Sequence, residues 1–221
     1  MPSAASDLLI RNSTLRSKTL AIMLWDSIKG QWSALPILVG PGDAAGKTYI
    51  VTGANIGLGY ETAKHLVRSS ASRVILAVRS VKAGEQAKAD IERVTGRTGI
   101  AEVWHLDLSS FESVKAFAAR AKRDLDRLDV LVGNAAVSIE HFVLSEGVEL
   151  CLKVNVVSTF LLATLLLPKL GQSGKLYGFT PRLVFVMSAL GLMNRNGLHK
   201  FQDKAILASL NDPKQAEMRD R

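Results

Sequence analysis

The sequence predicts an α/β fold, a doubly wound parallel sheet in a single domain, and three observations carry this expectation. From Lys47 onward, short apolar runs alternate with longer stretches of helical character. The first of these runs leads directly into a glycine-rich turn, Thr52-Gly53-Ala54-Asn55-Ile56-Gly57-Leu58-Gly59, with helix-forming residues behind it. The composition, 221 residues with 48% hydrophobic and 22% charged, suits one globular domain with a real core and excludes disorder over most of the length. Apolar strands separated by helices are what a parallel sheet covered on both faces requires.

Residues 1–45 read as a leader that closes on the Gly40-Pro-Gly-Asp43 turn. Within it Leu20, Ile22, Met23, Leu24, Trp25 and Ile28 fit one amphipathic helix, suited to packing on the domain, with contact to a membrane surface or a loose, unpacked segment the weaker alternatives. The domain proper is expected over 46–190. Tyr49 to Thr52 is a β-rich run, Tyr60 to Ser70 is helical, and Val74 to Val78 is the second strand. A helix from Val81 to Val94, a strand around Val103 to Leu106 and a helix from Ser110 to Asp126 follow. Val130 to Val132 makes the fourth strand, Glu146 to Leu170 a long helix, and Leu183 to Met187 the fifth strand. Residues 191–221 form an insertion beyond it.

Several function classes are excluded early. The net charge of +8 comes from basic residues scattered among acids, without a block of five or six or any aromatic interleaving, so nucleic-acid binding is not expected. Four dispersed histidines match no metal-ligand spacing, and none is expected to hold a metal. The single cysteine, Cys151, fits a reducing compartment, and charged residues break up any secretory signal near the N-terminus, which together point to the cytoplasm. No membrane span of about 20 apolar residues is expected, because the best run, Phe160 to Leu167, is short and meets Pro168.

Glycines at a strand-to-helix turn let the backbone approach a pyrophosphate, while the helix N-terminus supplies amide donors and a favourable dipole. The spacing G-x-x-x-G-x-G after a threonine resembles the short-chain dehydrogenase/reductase family, whose sheet is of the Rossmann type. Asp107 and Leu108 after the third strand, Asn134-Ala135-Ala136 after the fourth, Asn155 on the long helix and Ser188 after the fifth strand agree with that family in order. Within it, Val74-Ile-Leu-Ala-Val-Arg79 and Glu146-Gly147-Val-Glu149 look like retinol-dehydrogenase-type and fungal secondary-metabolite reductases. Gly133 and Ala136 depart from the family's Asn-Asn-Ala-Gly. Val156 to Thr159 lacks the histidine of retinol-type members, which weakens any retinoid assignment.

The resemblance implies an oxidoreductase that interconverts a carbonyl and an alcohol on a hydrophobic small molecule. Gly53, Asn55, Ile56, Gly57, Leu58 and Gly59 would then surround the pyrophosphate, with Asp107 and Leu108 at the adenine and Asn134 near the nicotinamide ribose. Ser188 would orient the substrate and Asn155 would hold a relay water. NADP is the expected cofactor, because Arg79 stands twenty residues after Gly59, where an arginine pairs with a 2′-phosphate and an acid would select the bare ribose; Lys82 adds a second positive charge. The family's dimers use the long helix together with the one that carries Tyr-x-x-x-Lys, so the resemblance implies that a homodimer is compatible with a full-length protein.

One part of the pattern is absent. The resemblance implies a proton donor, Tyr-x-x-x-Lys, after Ser188, yet the tyrosines are Tyr49, Tyr60 and Tyr177. Tyr60-Glu-Thr-Ala-Lys64 matches the spacing but lies in the helix opened by the glycine turn, so it reads as a decoy. Leu210 to Arg221 is similar to the stretch that precedes the tyrosine in the fungal reductases. The chain is therefore expected to stop just short of the proton donor, to lack the later strands and helices, and to be poorly soluble with little reductase activity alone. The alternative reading is a non-catalytic protein that binds NADP(H) as a sensor, or an inactive relic.

Overall fold

The computed structural model describes residues 39–188 and 206–213, together with Trp25 and Lys29. By contacts the chain divides into Met1–Leu38 and Val39–Arg221. Of the first unit only the helical positions Trp25 and Lys29 are described, Lys29 Nζ lying 5.7 Å from the Trp25 ring centroid. The rest of the expected leader helix lies outside the described residues, as does most of the 191–221 insertion.

Five strands make one parallel sheet in the order β3-β2-β1-β4-β7: β1 is Thr48–Thr52, β2 Arg73–Val78, β3 Ala101–His105, β4 Val130–Gly133 and β7 Arg182–Phe185. Between them run α1 (Gly57–Arg68), α2 (Val81–Thr95), α3 (Phe111–Asp124) and α4 (Leu150–Tyr177). A two-strand antiparallel hairpin, β5 (Leu144–Ser145) with β6 (Val148–Glu149), precedes α4, and a short helix α5 (Ile206–Leu210) lies beyond the sheet. Because side chains alternate across a strand, each central strand feeds two cores. Ile50, Ile75 and Leu131 pack with Val114, Phe117 and Leu166 under α3 and α4. Val51, Val74 and Val132 pack with Ala63, Val67 and Ile91 under α1 and α2. The doubly wound α/β fold is as the apolar runs imply.

The amino-terminal edge of the sheet is pinned by one carboxylate. Asp129, buried, accepts from Thr48 N at 2.8 Å and from the Arg127 guanidinium, which lies over the rings of Tyr177 (4.5 Å) and Phe179 (4.8 Å). This ties the starts of β1 and β4 to the end of α4.

Two expectations about the long helix need correction. It begins at Leu150 rather than Glu146, because Glu146 and Gly147 have φ of +48° and +80° and make the tip of the β5–β6 hairpin. It also continues through Pro168 to Tyr177, where Gly178 caps it in a left-handed conformation. An interior proline costs a helix about 3 kcal/mol, but burying a leucine returns roughly 1.5–3 kcal/mol, and Leu162, Leu166 and Leu170 are all buried on this helix. Burial wins. With an 18-residue stretch of mean hydropathy 2.0, α4 is long and apolar enough to cross a membrane by length and composition, contrary to the expected absence of such a segment. Its leucine face is a core face of the sheet, while Phe160, Leu167 and Leu176 are exposed.

β7 pairs with β4 on one side, and among the described residues no strand adjoins its other side. Leu183, Val184, Val186 and Met187 are exposed there, an apolar edge of the kind that templates strand addition. Val184, 42% exposed, is therefore expected to drive self-association, and Val184→Lys should lower concentration-dependent light scattering. As a surface change it should shift stability by no more than about 0.5 kcal/mol, read by thermal unfolding.

Candidate dinucleotide site

In an open parallel sheet, ligands bind beyond the carboxyl ends of the strands, where the strand order reverses. Here that point lies between β1 and β4, since β2 and β3 extend to one side and β4 and β7 to the other. The register brings Thr52 beside Ala77, and Gly133 beside Phe185, so the segments after β1, β2, β4 and β7 emerge along one edge.

Thr52 organises this edge. Its hydroxyl accepts from both Asn134 N and Ala135 N at 2.9 Å and donates to Val132 O at 3.4 Å. Asn134 answers by donating Nδ2 to Thr52 O at 2.9 Å. The turn is thereby locked to the end of β4 through side chains on both strands. Gly53, at φ +66°, donates its N–H to Ala77 O at 2.8 Å, which ties the turn to β2 as well. Gly59 has no room for a side chain: a Cβ would lie 2.5 Å from both Asn134 Nδ2 and Gly53 O. Asn55 is half-buried within the turn, and Gly57 opens α1.

The N-terminus of α1 is arranged to receive an anion. Its N-cap, Ile56, makes no side-chain hydrogen bond, and no acidic residue stands in the first turn. Ile56 and Leu58 are 73% and 70% exposed, apolar surface that a ligand lying across the turn would cover. The helix dipole and the uncapped amides favour negative charge at this point.

Around the turn stand the other expected residues. Arg79 immediately follows β2 and is exposed; Lys82, also exposed, lies in the first turn of α2, whose N-cap is Ser80. Asp107 follows β3, its Oδ1 accepting from Ser109 N at 2.8 Å and Ser109 Oγ at 2.6 Å. Burial pushes its pKa upward, but the two Ser109 hydrogen bonds, with Arg79 and His105 nearby, prevail and hold it below the ordinary carboxylate value. Asp107 is thus an anion in a fixed orientation. Leu108 beside it is buried. Ser188 is exposed, three residues past the end of β7, on a segment whose Val186 N–H still bonds to Gly133 O at 3.0 Å.

Asn155 lies in a π-turn, Lys153–Ser158, inside α4. Such turns widen the helix by one residue and recur at functional sites. Its side chain makes a two-way clamp on Val137, accepting from Val137 N and donating to Val137 O, both at 2.8 Å. The amide thereby holds the segment that follows Asn134-Ala135-Ala136.

The three tyrosines stand elsewhere. Tyr49 is in β1 and Tyr177 at the far end of α4. Tyr60 donates its phenol to Asp90 of α2 in a very short hydrogen bond, and Lys64 pairs with Glu61 while lying over the Tyr60 ring. The Asp90 hydrogen bond, aided by partial burial, pushes the phenol up to about 12, the wrong direction for a proton donor working near neutrality. Sequence reading missed two features: the Thr52 hydroxyl bracket and the fully buried Lys153. The threonine before the first glycine was a visible signal, whereas nothing in the sequence marked Lys153 as buried.

The fold and the locked glycine turn define a dinucleotide-binding domain of the doubly wound class. A family model described as short chain dehydrogenase matches residues 47–201, and the chain belongs to that family. Among curated proteins it is 40% identical over 177 residues to the short chain dehydrogenase/reductase dmxR8 of a Cryptosporiopsis species, covering 80% of this chain and 55% of the relative. It is 43% identical over 175 residues to the short chain dehydrogenase atnD of Emericella nidulans, covering 78% and 54%. The chain thus spans about half the length of these relatives. Among solved structures, a short chain dehydrogenase from Shigella flexneri complexed with NADP matches at 27% identity and a TM-score of 0.55, over 80% of this chain and 66% of that one. The Pseudomonas aeruginosa RhlG/NADP active-site complex matches at 28% identity and a TM-score of 0.56, over 66% and 55%.

Two outcomes follow from this geometry. Gly59→Ala forces a methyl into Asn134 and the Gly53 carbonyl, so it should lower stability by about 1–3 kcal/mol in denaturant titration and weaken dinucleotide binding. Tyr60 has a folded pKa raised above its ordinary value of 10.0 to about 12, so its contribution to stability is complete below pH 10 and is lost as pH rises towards 12. Ultraviolet titration of the phenol, and stability against pH for Tyr60→Phe, check this; the variant should lack that segment of the alkaline decline.

Proposed function

We propose that the chain is the cofactor-binding part of an NADP(H)-dependent oxidoreductase that interconverts a carbonyl and an alcohol on a hydrophobic small molecule, within the secondary metabolism of a fungus. The observation that carries the cofactor reading is the uncapped α1 N-terminus behind a glycine turn locked to Asn134, with Arg79 and Lys82 exposed beside it. Two NADP complexes among the structural relatives and the fungal sources of the sequence relatives support it.

The residues fit a dinucleotide. The amides of Gly57, Leu58 and Gly59 at the start of α1 would take the pyrophosphate, with Gly53, Asn55 and Ile56 shaping the turn. Arg79 and Lys82 would hold the 2′-phosphate, Asp107 and Leu108 the adenine, and Asn134 would support the nicotinamide ribose region. When bound, the nicotinamide supplies or accepts the hydride. Ser188 then orients the substrate oxygen through its hydroxyl, and Asn155 keeps the wall beyond Asn134 in place by clamping Val137 and, in the family's manner, would hold a relay water. In this reading the protein acts in the cytoplasm, and α4 would be one part of the surface through which two copies of the full-length protein pair.

A second reading, NADP(H) binding without turnover, is favoured by one observation. Tyr49 lies within β1 and Tyr177 at the end of α4, and Tyr60, in the first turn of α1, gives its phenol to Asp90 and is held protonated by it. Under either reading the chain binds NADPH more tightly than NADH by tenfold or more, since a charge-assisted contact to a phosphate contributes about 1.5–3 kcal/mol. Arg79→Glu should erase or invert that preference in fluorescence titration. Equal affinity of the unaltered chain for both cofactors would remove Arg79 from this role. Turnover of a hydrophobic ketone by the 221-residue chain separates the readings, catalysis requiring a proton donor other than the three tyrosines.

A further inference from the structure

Lys153 opens the π-turn of α4, and its side chain is fully buried. A buried ammonium needs several partners, because desolvation outweighs what one contact returns. Nζ pairs closely with the Glu146 carboxylate, donates to Ser145 O at 3.2 Å and Ser145 Oγ at 3.3 Å, and lies 4.3 Å from the Phe111 ring centroid. Glu146 also accepts from Phe111 N at 3.0 Å, the first residue of α3, and it does so from a backbone at φ +48° that a non-glycine residue adopts only under constraint.

These contacts lead to the adenosine side of the site. Ser145 Oγ donates to Ser109 O at 2.8 Å, and Ser109 holds the Asp107 carboxylate through both its amide and its hydroxyl. Three steps of hydrogen bonding therefore join the Lys153 ammonium to Asp107. Two residues along the same π-turn, Asn155 clamps Val137. Lys153 thus stands where the β5–β6 hairpin, the Asp107–Phe111 turn and the start of α4 meet. The ammonium is wholly inside while the Glu146 carboxylate is 44% exposed, and an apolar side chain could fill the same space, so the pair is explained by the geometry it imposes.

We propose that Lys153, acting with Glu146 and Ser145, is a positioning residue for the adenosine half of the cofactor, fixing the Asp107 turn by bracing the hairpin against it. This rests on the NADP(H) reading above, and the test separates the two. Calorimetric titration of the 221-residue chain with 2′,5′-ADP, which carries only the adenosine half, and with nicotinamide mononucleotide reads each half of the site. Lys153→Met should raise the Kd for 2′,5′-ADP by about tenfold and Ser145→Ala by about threefold, in the range by which indirect contacts tune a distant site, leaving the mononucleotide affinity unchanged. Glu102→Gln, which breaks the Arg73–Glu102 ion pair near the start of β3, is the control for general destabilisation. It should lower the Tm and leave the Kd for 2′,5′-ADP within about twofold. If Lys153→Met does not fold, Ser145→Ala alone decides. Unchanged 2′,5′-ADP affinity in the folded variants, or an equal loss in Glu102→Gln, overturns the positioning role. Failure of the unaltered chain to bind 2′,5′-ADP overturns the cofactor reading, and this inference with it.

Discussion

The hydroxyl of Thr52 is the constraint on which the site depends. A glycine-rich turn is flexible by composition, and a turn that is to cradle a phosphate needs its shape set before a ligand arrives. One side-chain oxygen accepts two backbone N–H groups from the end of β4, while Asn134 returns a hydrogen bond to the Thr52 carbonyl. Both strands are central and buried, so these bonds are made in a low-dielectric setting where leaving either partner unsatisfied is costly. The tightness of the lock is also what demands glycine at position 59, since Asn134 Nδ2 occupies the space a Cβ would need.

The same economy appears in α4. One helix supplies the leucines that cover the sheet, the Asn155 clamp on Val137 and the buried Lys153 that braces the hairpin. The π-turn makes this combination workable, because inserting one residue into the helix shifts the faces presented before and after it. The core stripe of Leu162, Leu166 and Leu170 and the polar residues Lys153 and Asn155 then each meet their proper neighbours. Pro168 is absorbed for the same reason: the helix is held by what it packs against, and one missing hydrogen bond weighs less than the buried leucines around it.

The distribution of tyrosines separates binding from chemistry in this chain. Everything that would hold a dinucleotide lies between Thr52 and Asn155 and is set by the sheet. Proton transfer to a substrate oxygen needs a further group whose pKa lies near the working pH. Tyr60 shows how little a motif spacing says alone: four residues ahead of Lys64, its phenol is given to Asp90 on the neighbouring helix and is held more firmly protonated than in water.

Much of this was legible in the residues. Apolar runs at strand length set the parallel sheet, the glycine turn set where β1 ends and α1 begins, and the order of the strands set which residues lie at the carboxyl edge, because these depend on local periodicity and on order along the chain. The start of α4 and its passage through Pro168 were not legible. Local rules end a helix at proline and begin one at an acidic residue, and both rules gave way to long-range burial and to the positive φ at Glu146 and Gly147. Nor could the sequence tell that Asn155 clamps Val137, that Asp107 is oriented by Ser109, or that Lys153 lies wholly inside. Each of these is a pairing with residues brought near by the fold, so only the tertiary structure could decide it.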